Sequence, residues 1–248
     1  MTNMLRNGTF PMVNHSFDKI LHVGHSFGSA QTYALVAMYP NISDGIVLTG
    51  FSMNSSFVGY FAAGNDFVQA NLNQPLRFGN SSSMTSIQQA IQDLALTDYF
   101  AYPNANVNQG LNYPRGYLVN SNVNALQYLF LYPGYFDTGI AYFGEQGKQP
   151  VTVGEILTLA SLPMMNPYMG PVMVITGSND LPYCGGDCLN TGGSAPSIPS
   201  TVSMNFPSTN VTTVIQPNTG HGINFHYNAT GAYGAINNFL DSHGLTSM

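Results

Sequence analysis

Three residues in the sequence are of the types that together perform nucleophilic acyl chemistry. Ser26 lies in the pentapeptide GHSFG that begins at Gly24, which has the pattern G-x-S-x-G, and Asp180 and His221 follow later in the chain. A serine hydroxyl is a weak nucleophile without a base, and the base needs an acid to orient it. The sequence therefore offers Ser26 as a candidate nucleophile, His221 as a candidate base and Asp180 as a candidate acid.

The segment around Ser26 has the pattern of a strand, a sharp turn and a helix. The apolar run Phe17–Gly24 predicts a buried strand, residues 24–40 favour a helix that ends at Pro40, and Ile46–Phe51 predicts a second buried strand. Two strands joined through a helix predict a βαβ unit and hence a parallel sheet. Ser26 then lies at a nucleophile elbow.

The glycines that flank this turn, Gly24 and Gly28, are expected to be required because a Cβ atom at either position would collide. His25 adjoins Ser26 in sequence, so we expect its side chain to point elsewhere and to pack against the elbow. A serine that only caps the helix is the plainer interpretation of the same pattern.

The candidate acid and base each follow a predicted strand. Asp180 comes after the run 171–176, and His221 comes after the run 210–216, between two glycines. The carboxyl ends of parallel strands share one edge of a sheet, so the two loops can converge on Ser26. Two alternatives stay open, which are His226 as the base and Asp187 as the acid.

The stretch from about Met53 to Met165 differs from the rest. Ile87, Ile91, Leu94 and Ala95 recur at helical spacing, Leu126, Leu129 and Phe130 do the same, and a third helix is predicted from Glu155 to Ala160. Loops rich in Asn, Tyr, Pro and Gly lie between these segments. We expect an aromatic, helical insertion that covers an apolar pocket. A further helix is predicted over 232–243, at the end of the chain.

The elbow GHSFGS, the insertion after the next strand, the Gly-x-x-Asp turn and the Gly-His-Gly turn together resemble the α/β-hydrolase superfamily. The chain is most similar in these motifs to secreted hydrolases of filamentous fungi. The resemblance implies one α/β domain over residues 1–248, with a mostly parallel sheet, a cap at about 53–165 and no cofactor or metal. It also implies an esterase, lipase or related acyl hydrolase, in which His221 serves as general base and then general acid, and the Phe27 N–H donates to the oxyanion.

The sequence departs from this superfamily near its N-terminus. Only about 17 residues precede the elbow strand, where the superfamily has several strands and a loop that gives the second oxyanion donor. We therefore expect an N-terminally shortened chain in which the elbow strand forms an unpaired edge. Shortening would also explain the absence of a signal-peptide pattern at the N-terminus.

The composition limits the partners and suggests a compartment. The chain has 248 residues, of which 6% are charged, and a net charge of −6, so no basic surface for nucleic acid is expected. No apolar run is long enough to span a membrane. Cys184 and Cys188 favour a local disulfide over a zinc site, because further metal ligands are absent nearby. Seven N-x-S/T sequons suggest a secreted glycoprotein; they are Asn7, Asn14, Asn41, Asn54, Asn80, Asn210 and Asn228.

Hydrolysis of carboxylic esters through an acyl-enzyme is the leading hypothesis for function. The alternatives are a catalytically inert hydrolase-like glycoprotein, and use of the same three residues for amide cleavage, acyl transfer or cofactor-free peroxidation. Epoxide and haloalkane hydrolysis are disfavoured because those reactions place an aspartate where Ser26 stands.

Overall fold

A computed structural model describes residues 1–13, 15–79, 113–158 and 161–246 of the chain. Its strands are β1 (Leu21–His25), β2 (Gly45–Thr49), β3 (Val68–Gln69), β4 (Tyr117–Val119), β5 (Val151–Thr152), β6 (Val172–Gly177) and β7 (Val211–Gln216). Its α-helices are α1 (Thr2–Arg6), α2 (Phe27–Met38), α3 (Val58–Asn65), α4 (Ala70–Asn73), α5 (Pro75–Phe78), α6 (Val123–Phe130), α7 (Thr138–Gly147), α8 (Val153–Thr158), α9 (Leu181–Cys184) and α10 (Ala229–Ser242). Short 3₁₀ helices span Pro199–Asn205 and Ile223–Phe225.

A four-stranded parallel sheet in the order β1-β2-β6-β7 forms the centre of the molecule. All four strands were predicted from apolar runs, and the predicted α/β fold with a mostly parallel central sheet is confirmed. The first strand begins at Leu21 rather than at Phe17, because the backbone N–H of the preceding Ile20 bonds to a carboxylate and not to a neighbouring strand. Its N–H donates to Asp44 Oδ2 at 2.7 Å, and pairing with β2 starts only at the next residue.

Both faces of the sheet are covered, which explains why its central strands are apolar throughout. Every residue of β6 is buried. On one face, Tyr33 of α2 packs with Phe51 and Phe206. On the other face, Phe239 of α10 joins a cluster that includes Met173. Burial on both sides is typical of parallel sheets.

Strand β1 forms one edge of this sheet in the part of the chain that the structure describes. Val23 in that strand is 59% exposed. Helix α1 is attached close by, where Arg6 forms an ion pair with Asp44 at 2.6 Å.

The chain between β2 and β6, which contains the segment interpreted above as an insertion, carries helices α3–α8 and strands β3–β5 in the described residues. The helix expected around Leu126 and Leu129 is confirmed as α6, which Asn122 caps by accepting from two backbone N–H groups. The helix predicted from Glu155 begins earlier, at Val153, and residues 159 and 160 lie outside the described residues. The helix predicted around Ile87 and Ile91 also lies outside them.

The insertion also contains a small antiparallel sheet, in the order β3-β4-β5, that the sequence did not predict. Its strands are two or three residues long. So short a strand shows no alternation of apolar and polar residues, and therefore gives no sequence signal. In the described ranges, no helix has the length and apolar character needed to cross a bilayer.

Candidate active site

Ser26 lies at the turn between β1 and α2, as the elbow pattern predicted. Its backbone has φ 55° and ψ −117°, a conformation that residues other than glycine rarely adopt. The Ser26 N–H donates to the Thr49 carbonyl at 2.9 Å, which holds the turn to the neighbouring strand. Ser26 occupies the N-cap position, but its side chain makes no capping hydrogen bond. The hydroxyl is therefore not committed to the helix.

The two glycines of the elbow differ in what they do. A Cβ atom at Gly24 would lie 2.3 Å from the Gly28 carbonyl oxygen, so only glycine fits there. A Cβ at Gly28 would meet nothing within 4 Å. The expectation that both positions exclude a side chain is wrong for Gly28, because its Cβ position faces open space while its carbonyl group faces Gly24.

The structure places Asp180 and His221 in direct contact. His221 Nδ1 lies 2.7 Å from Asp180 Oδ2, and both side chains are completely buried. A carboxylate can only accept, so the proton of this bond belongs to Nδ1. In the neutral ring Nε2 then carries a lone pair, and this buried atom has no hydrogen-bond partner among the described residues.

The loops that carry these two residues are fastened to each other. Ser178 N donates to the Gln216 carbonyl at 2.8 Å, and Asn179 N donates to the Thr219 carbonyl at 2.9 Å. A Cβ at Gly177 would lie 2.3 Å from the Thr219 carbonyl oxygen. The acid loop and the histidine loop can approach so closely only because residue 177 is glycine.

A disulfide between Cys184 and Cys188 closes the end of the acid loop. Both cysteines are buried. Asp187, the alternative acid, lies between them at the surface, where its Oδ1 accepts from the N–H groups of Leu189 and Asn190. Asp187 therefore shapes a turn, and the structure brings Asp180 to His221 in its place.

His226, the alternative base, has both ring nitrogens engaged with the backbone. Its Nε2 accepts from Tyr132 N at 2.9 Å and from Gly220 N at 3.0 Å, and its Nδ1 donates to the Gly222 carbonyl at 2.9 Å. Burial lowers the pKa of His226, and the bond to Gly222 opposes this in part. The neutral ring joins the histidine loop to the insertion, so it cannot also take a proton from Ser26.

His25 lies nearer to the candidate base than the sequence suggested. Its ring centroid is 4.9 Å from that of His221, and its Nδ1 lies 2.9 Å from Thr49 Oγ1. Part of His25 is exposed, but the surrounding protein encloses its ring. This burial lowers the pKa of His25 to about 3, and the proximity of His221 is a second, smaller cause. A neutral His25 does not repel a positive charge that forms on His221.

A cavity of about 590 Å³ lies between the sheet and the insertion, and Ser26 is part of its wall. Most of the wall is apolar; it includes Phe27, Ala30, Phe51, Phe61, Val119, Leu126, Phe130, Phe143 and Ile156. Lys148 also lines the cavity, where it donates to Glu145 at 2.5 Å and to the Asn120 carbonyl at 2.7 Å. Burial lowers the pKa of Lys148, and Glu145 opposes that shift.

Several residues at the site were not found by sequence reasoning. The ring of Phe130, from the insertion, lies 5.4 Å from that of His221. A Cβ at Gly50 would lie 3.1 Å from the His221 ring, so this glycine makes room for it. Tyr183 lies 5.7 Å from the same ring. Their positions at the site depend on tertiary contacts, which no local sequence pattern indicates.

These elements together present a serine in a strained turn, a buried acid–histidine pair and an apolar cavity. The first two N–H groups of α2, at Phe27 and Gly28, lack partners within the helix because of their position at its start. They point their partial positive charge toward the Ser26 end of the helix. Such an arrangement can generate a nucleophile and stabilise an oxyanion beside it.

No protein-family model and no curated protein matches the sequence. Among solved structures, an α/β-hydrolase fold protein from Chitinophaga pinensis is similar at 14% identity and a TM-score of 0.45, over 89% of this chain and 64% of that chain. An epoxide hydrolase of Bacillus megaterium is similar at 17% identity and a TM-score of 0.41, over 88% of this chain and 68% of that one. A marine microorganism esterase is similar at 11% identity and a TM-score of 0.42, over 89% and 70%. This chain thus spans about two thirds of the length of each, and similarity at this level carries no information about substrate or reaction.

The two elbow glycines should respond oppositely to substitution. Gly24→Ala forces a Cβ into the Gly28 carbonyl and should lower the free energy of unfolding by about 2–3 kcal/mol. Gly28→Ala fills open space in the first turn of α2 and should leave stability equal or raise it by up to about 1 kcal/mol. Urea denaturation of the two variants measures both effects. Equal destabilisation by the two would contradict this description of the turn.

His226 should make stability sensitive to acid. Its pKa is lowered in the folded protein, so His226 is neutral in both states above pH 6.5 and its contribution is complete there. Below pH 6.5 the unfolded chain takes up the proton first, and the free energy of unfolding should fall by at most about 1.4 kcal/mol per pH unit. Gln at this position offers an oxygen and an N–H but does not titrate. His226→Gln should therefore flatten the curve between pH 6.5 and 5.

Urea denaturation at a series of pH values measures this slope. His15→Gln is a suitable control because His15 is exposed, and it should leave the slope unchanged. A curve for His226→Gln as steep as that of the parent protein would show that other groups cause the acid sensitivity.

Proposed function

We propose that this protein is a serine hydrolase that cleaves carboxylic esters through an acyl-enzyme intermediate. The observation that carries the proposal is the completely buried Asp180–His221 pair, at 2.7 Å, against which Tyr183 packs. Tyr183 and the strained Ser26 line the same large apolar cavity. A buried carboxylate and imidazole are costly to maintain. A role in catalysis would account for keeping such a pair at the carboxyl end of the sheet that also carries Ser26.

The reaction would proceed in two halves. Ser26 Oγ attacks the ester carbonyl carbon, its proton passes to His221 Nε2, and the carbonyl electron pair becomes an oxyanion facing the Phe27 N–H. The oxyanion collapses, the C–O bond to the alcohol breaks, and the alkoxide leaves with the proton from His221. A water molecule then attacks the acyl-enzyme by the same steps and releases the acid and Ser26.

The Asp180 carboxylate supports both halves through His221 Nδ1. It fixes the ring orientation and stabilises the imidazolium that forms when Nε2 takes the serine proton. Hydrogen bonds between nucleophile and base are often long in a free enzyme and shorten when substrate binds. The unpartnered Nε2 of His221 suits the role of an acceptor that awaits the Ser26 proton.

The cavity favours substrates with an apolar acyl or alcohol group. Aromatic and aliphatic side chains form most of its wall, and Lys148, the charged residue that is most enclosed there, is already engaged by Glu145. Burial of an apolar group against this wall supplies binding energy without a specific charge partner.

Export from the cell is part of the proposal. A buried disulfide is typical of proteins that fold in an oxidising compartment. The sequon residues Asn7, Asn41, Asn210 and Asn228 are exposed, and so are accessible to a glycan. Asn54 is half-buried on the cavity wall, and Asn14 and Asn80 lie outside the described residues.

Ser26→Ala should abolish hydrolysis of p-nitrophenyl esters, because it removes the atom that forms the acyl bond. We expect a fall in kcat of about 10⁴-fold or more, with the melting temperature unchanged or raised. A fluorophosphonate probe should label the parent protein on Ser26 and leave the variant unlabelled. Equal turnover by both proteins would overturn the proposal, whereas an unlabelled and inactive parent protein would favour an inert hydrolase-like chain.

Asp180→Asn should disturb the orientation and charge stabilisation of His221 while it leaves the Ser26 nucleophile in place. The amide nitrogen or oxygen would replace a carboxylate at His221 Nδ1, which favours the wrong tautomer and removes the stabilising charge, and kcat should fall by about 10⁴-fold. Asp187→Asn is the matched control, because Asp187 shapes only the adjacent turn, and it should keep activity within about threefold. A larger loss with Asp187→Asn than with Asp180→Asn would reverse the assignment of the acid.

A further inference from the structure

Tyr183 is held by the same carboxylate that holds His221. It lies in α9, which starts directly after Asp180, and its backbone N–H donates to Asp180 Oδ1 at 2.9 Å. The other oxygen of that carboxylate binds His221 Nδ1 at 2.7 Å. The positions of Tyr183 and His221 are therefore fixed relative to each other by one buried group.

The ring of Tyr183 is fixed as well as its backbone. Its centroid lies 5.7 Å from that of His221 and 5.6 Å from that of Phe51. The Tyr183 carbonyl accepts from Ser52 Oγ at 3.1 Å. Helix α9 ends at Cys184, whose disulfide closes the loop. A ring held at so many points presents its hydroxyl at one place.

The hydroxyl of Tyr183 lies close to the nucleophile. Tyr183 and Ser26 line the same cavity, and the Ser26 hydroxyl is near enough to the Tyr183 hydroxyl to affect its pKa. Burial raises the pKa of Tyr183, the charge of Asp180 raises it further, and the nearby Ser26 hydroxyl opposes them. At neutral pH the phenol therefore keeps its proton and can donate it in a hydrogen bond.

An oxyanion that forms next to Ser26 needs more than one donor. The Phe27 N–H, at the start of α2, is one candidate. Donors placed in advance in a cavity from which water is excluded give the largest stabilisation of a developing negative charge. We propose that the Tyr183 hydroxyl is the second donor of the oxyanion hole, an inference that rests on the proposed function of Ser26.

As an oxyanion donor, Tyr183 acts without a net transfer of its proton. As Ser26 Oγ bonds to the carbonyl carbon and its proton moves to His221 Nε2, the C=O electron pair moves onto oxygen. The phenol O–H donates to that oxygen. When the oxyanion collapses and the bond to the leaving alcohol breaks, the phenol retains its proton.

The test is Tyr183→Phe, which removes the hydroxyl and keeps the ring against His221 and Phe51. We expect kcat for a p-nitrophenyl ester to fall about 10²–10³-fold with KM within about threefold, because the lost bond is made in the transition state. Labelling by a fluorophosphonate, whose oxygen occupies the same hole, should slow as well. A kcat within about threefold of the parent value would overturn the inference, and so would a rise in KM alone.

Tyr33→Phe is the matched control. Tyr33 packs on the same Phe51 ring, but it does not line the cavity, and its hydroxyl donates to the Pro163 carbonyl at 2.8 Å. It should lower the melting temperature and leave kcat unchanged. An equal loss of kcat in both variants would mean that Tyr183 acts through packing, which also overturns the assignment.

Ser26→Ala measured beside these variants separates the two proposals. Full activity in Ser26→Ala would overturn the serine hydrolase itself. An inactive Ser26→Ala together with a fully active Tyr183→Phe would overturn only the role of Tyr183.

Discussion

The burial of the Asp180 carboxylate is the constraint on which the rest of the site depends. A carboxylate that is completely shielded from water must have its oxygens bonded, or the loss of hydration destabilises the fold. One oxygen accepts from His221 Nδ1 and the other from the Tyr183 N–H. Glycine at position 177 lets the acid and histidine loops touch, and the Cys184–Cys188 disulfide closes the acid loop. The same group therefore sets the orientation of the base and of the tyrosine beside the nucleophile.

The insertion completes the site as well as covering it. The Phe130 carbonyl accepts from Gly222 N at 2.7 Å, and the Phe130 ring packs on His221. His226 adds a second connection, through Tyr132 N. The histidine loop thus depends on contacts from a segment more than 80 residues earlier in the chain. The cavity that results is apolar, which agrees with the small number of charged residues in the sequence.

The parallel sheet and the positions of Ser26, Asp180 and His221 could be predicted because each depends on a local pattern. Apolar runs give the strands, and parallel strands bring their carboxyl ends to one edge. The roles of Tyr183, Gly28 and His226 could not be predicted in this way. They depend on distances across loops, such as the open space beside Gly28 and the two backbone N–H groups that engage His226. The short strands of the insertion lacked a periodic signal altogether.

The central claim is that Ser26 carries an acyl group during turnover. The most direct measurement mixes the protein with a p-nitrophenyl ester, stops the reaction with acid within the first turnovers, and determines the mass of the intact chain and of its peptides. We expect one acyl group per chain, located on the peptide that contains Ser26, and its loss on further incubation in water. Turnover of the ester with no acyl group on Ser26, or with the group on another residue, would contradict it.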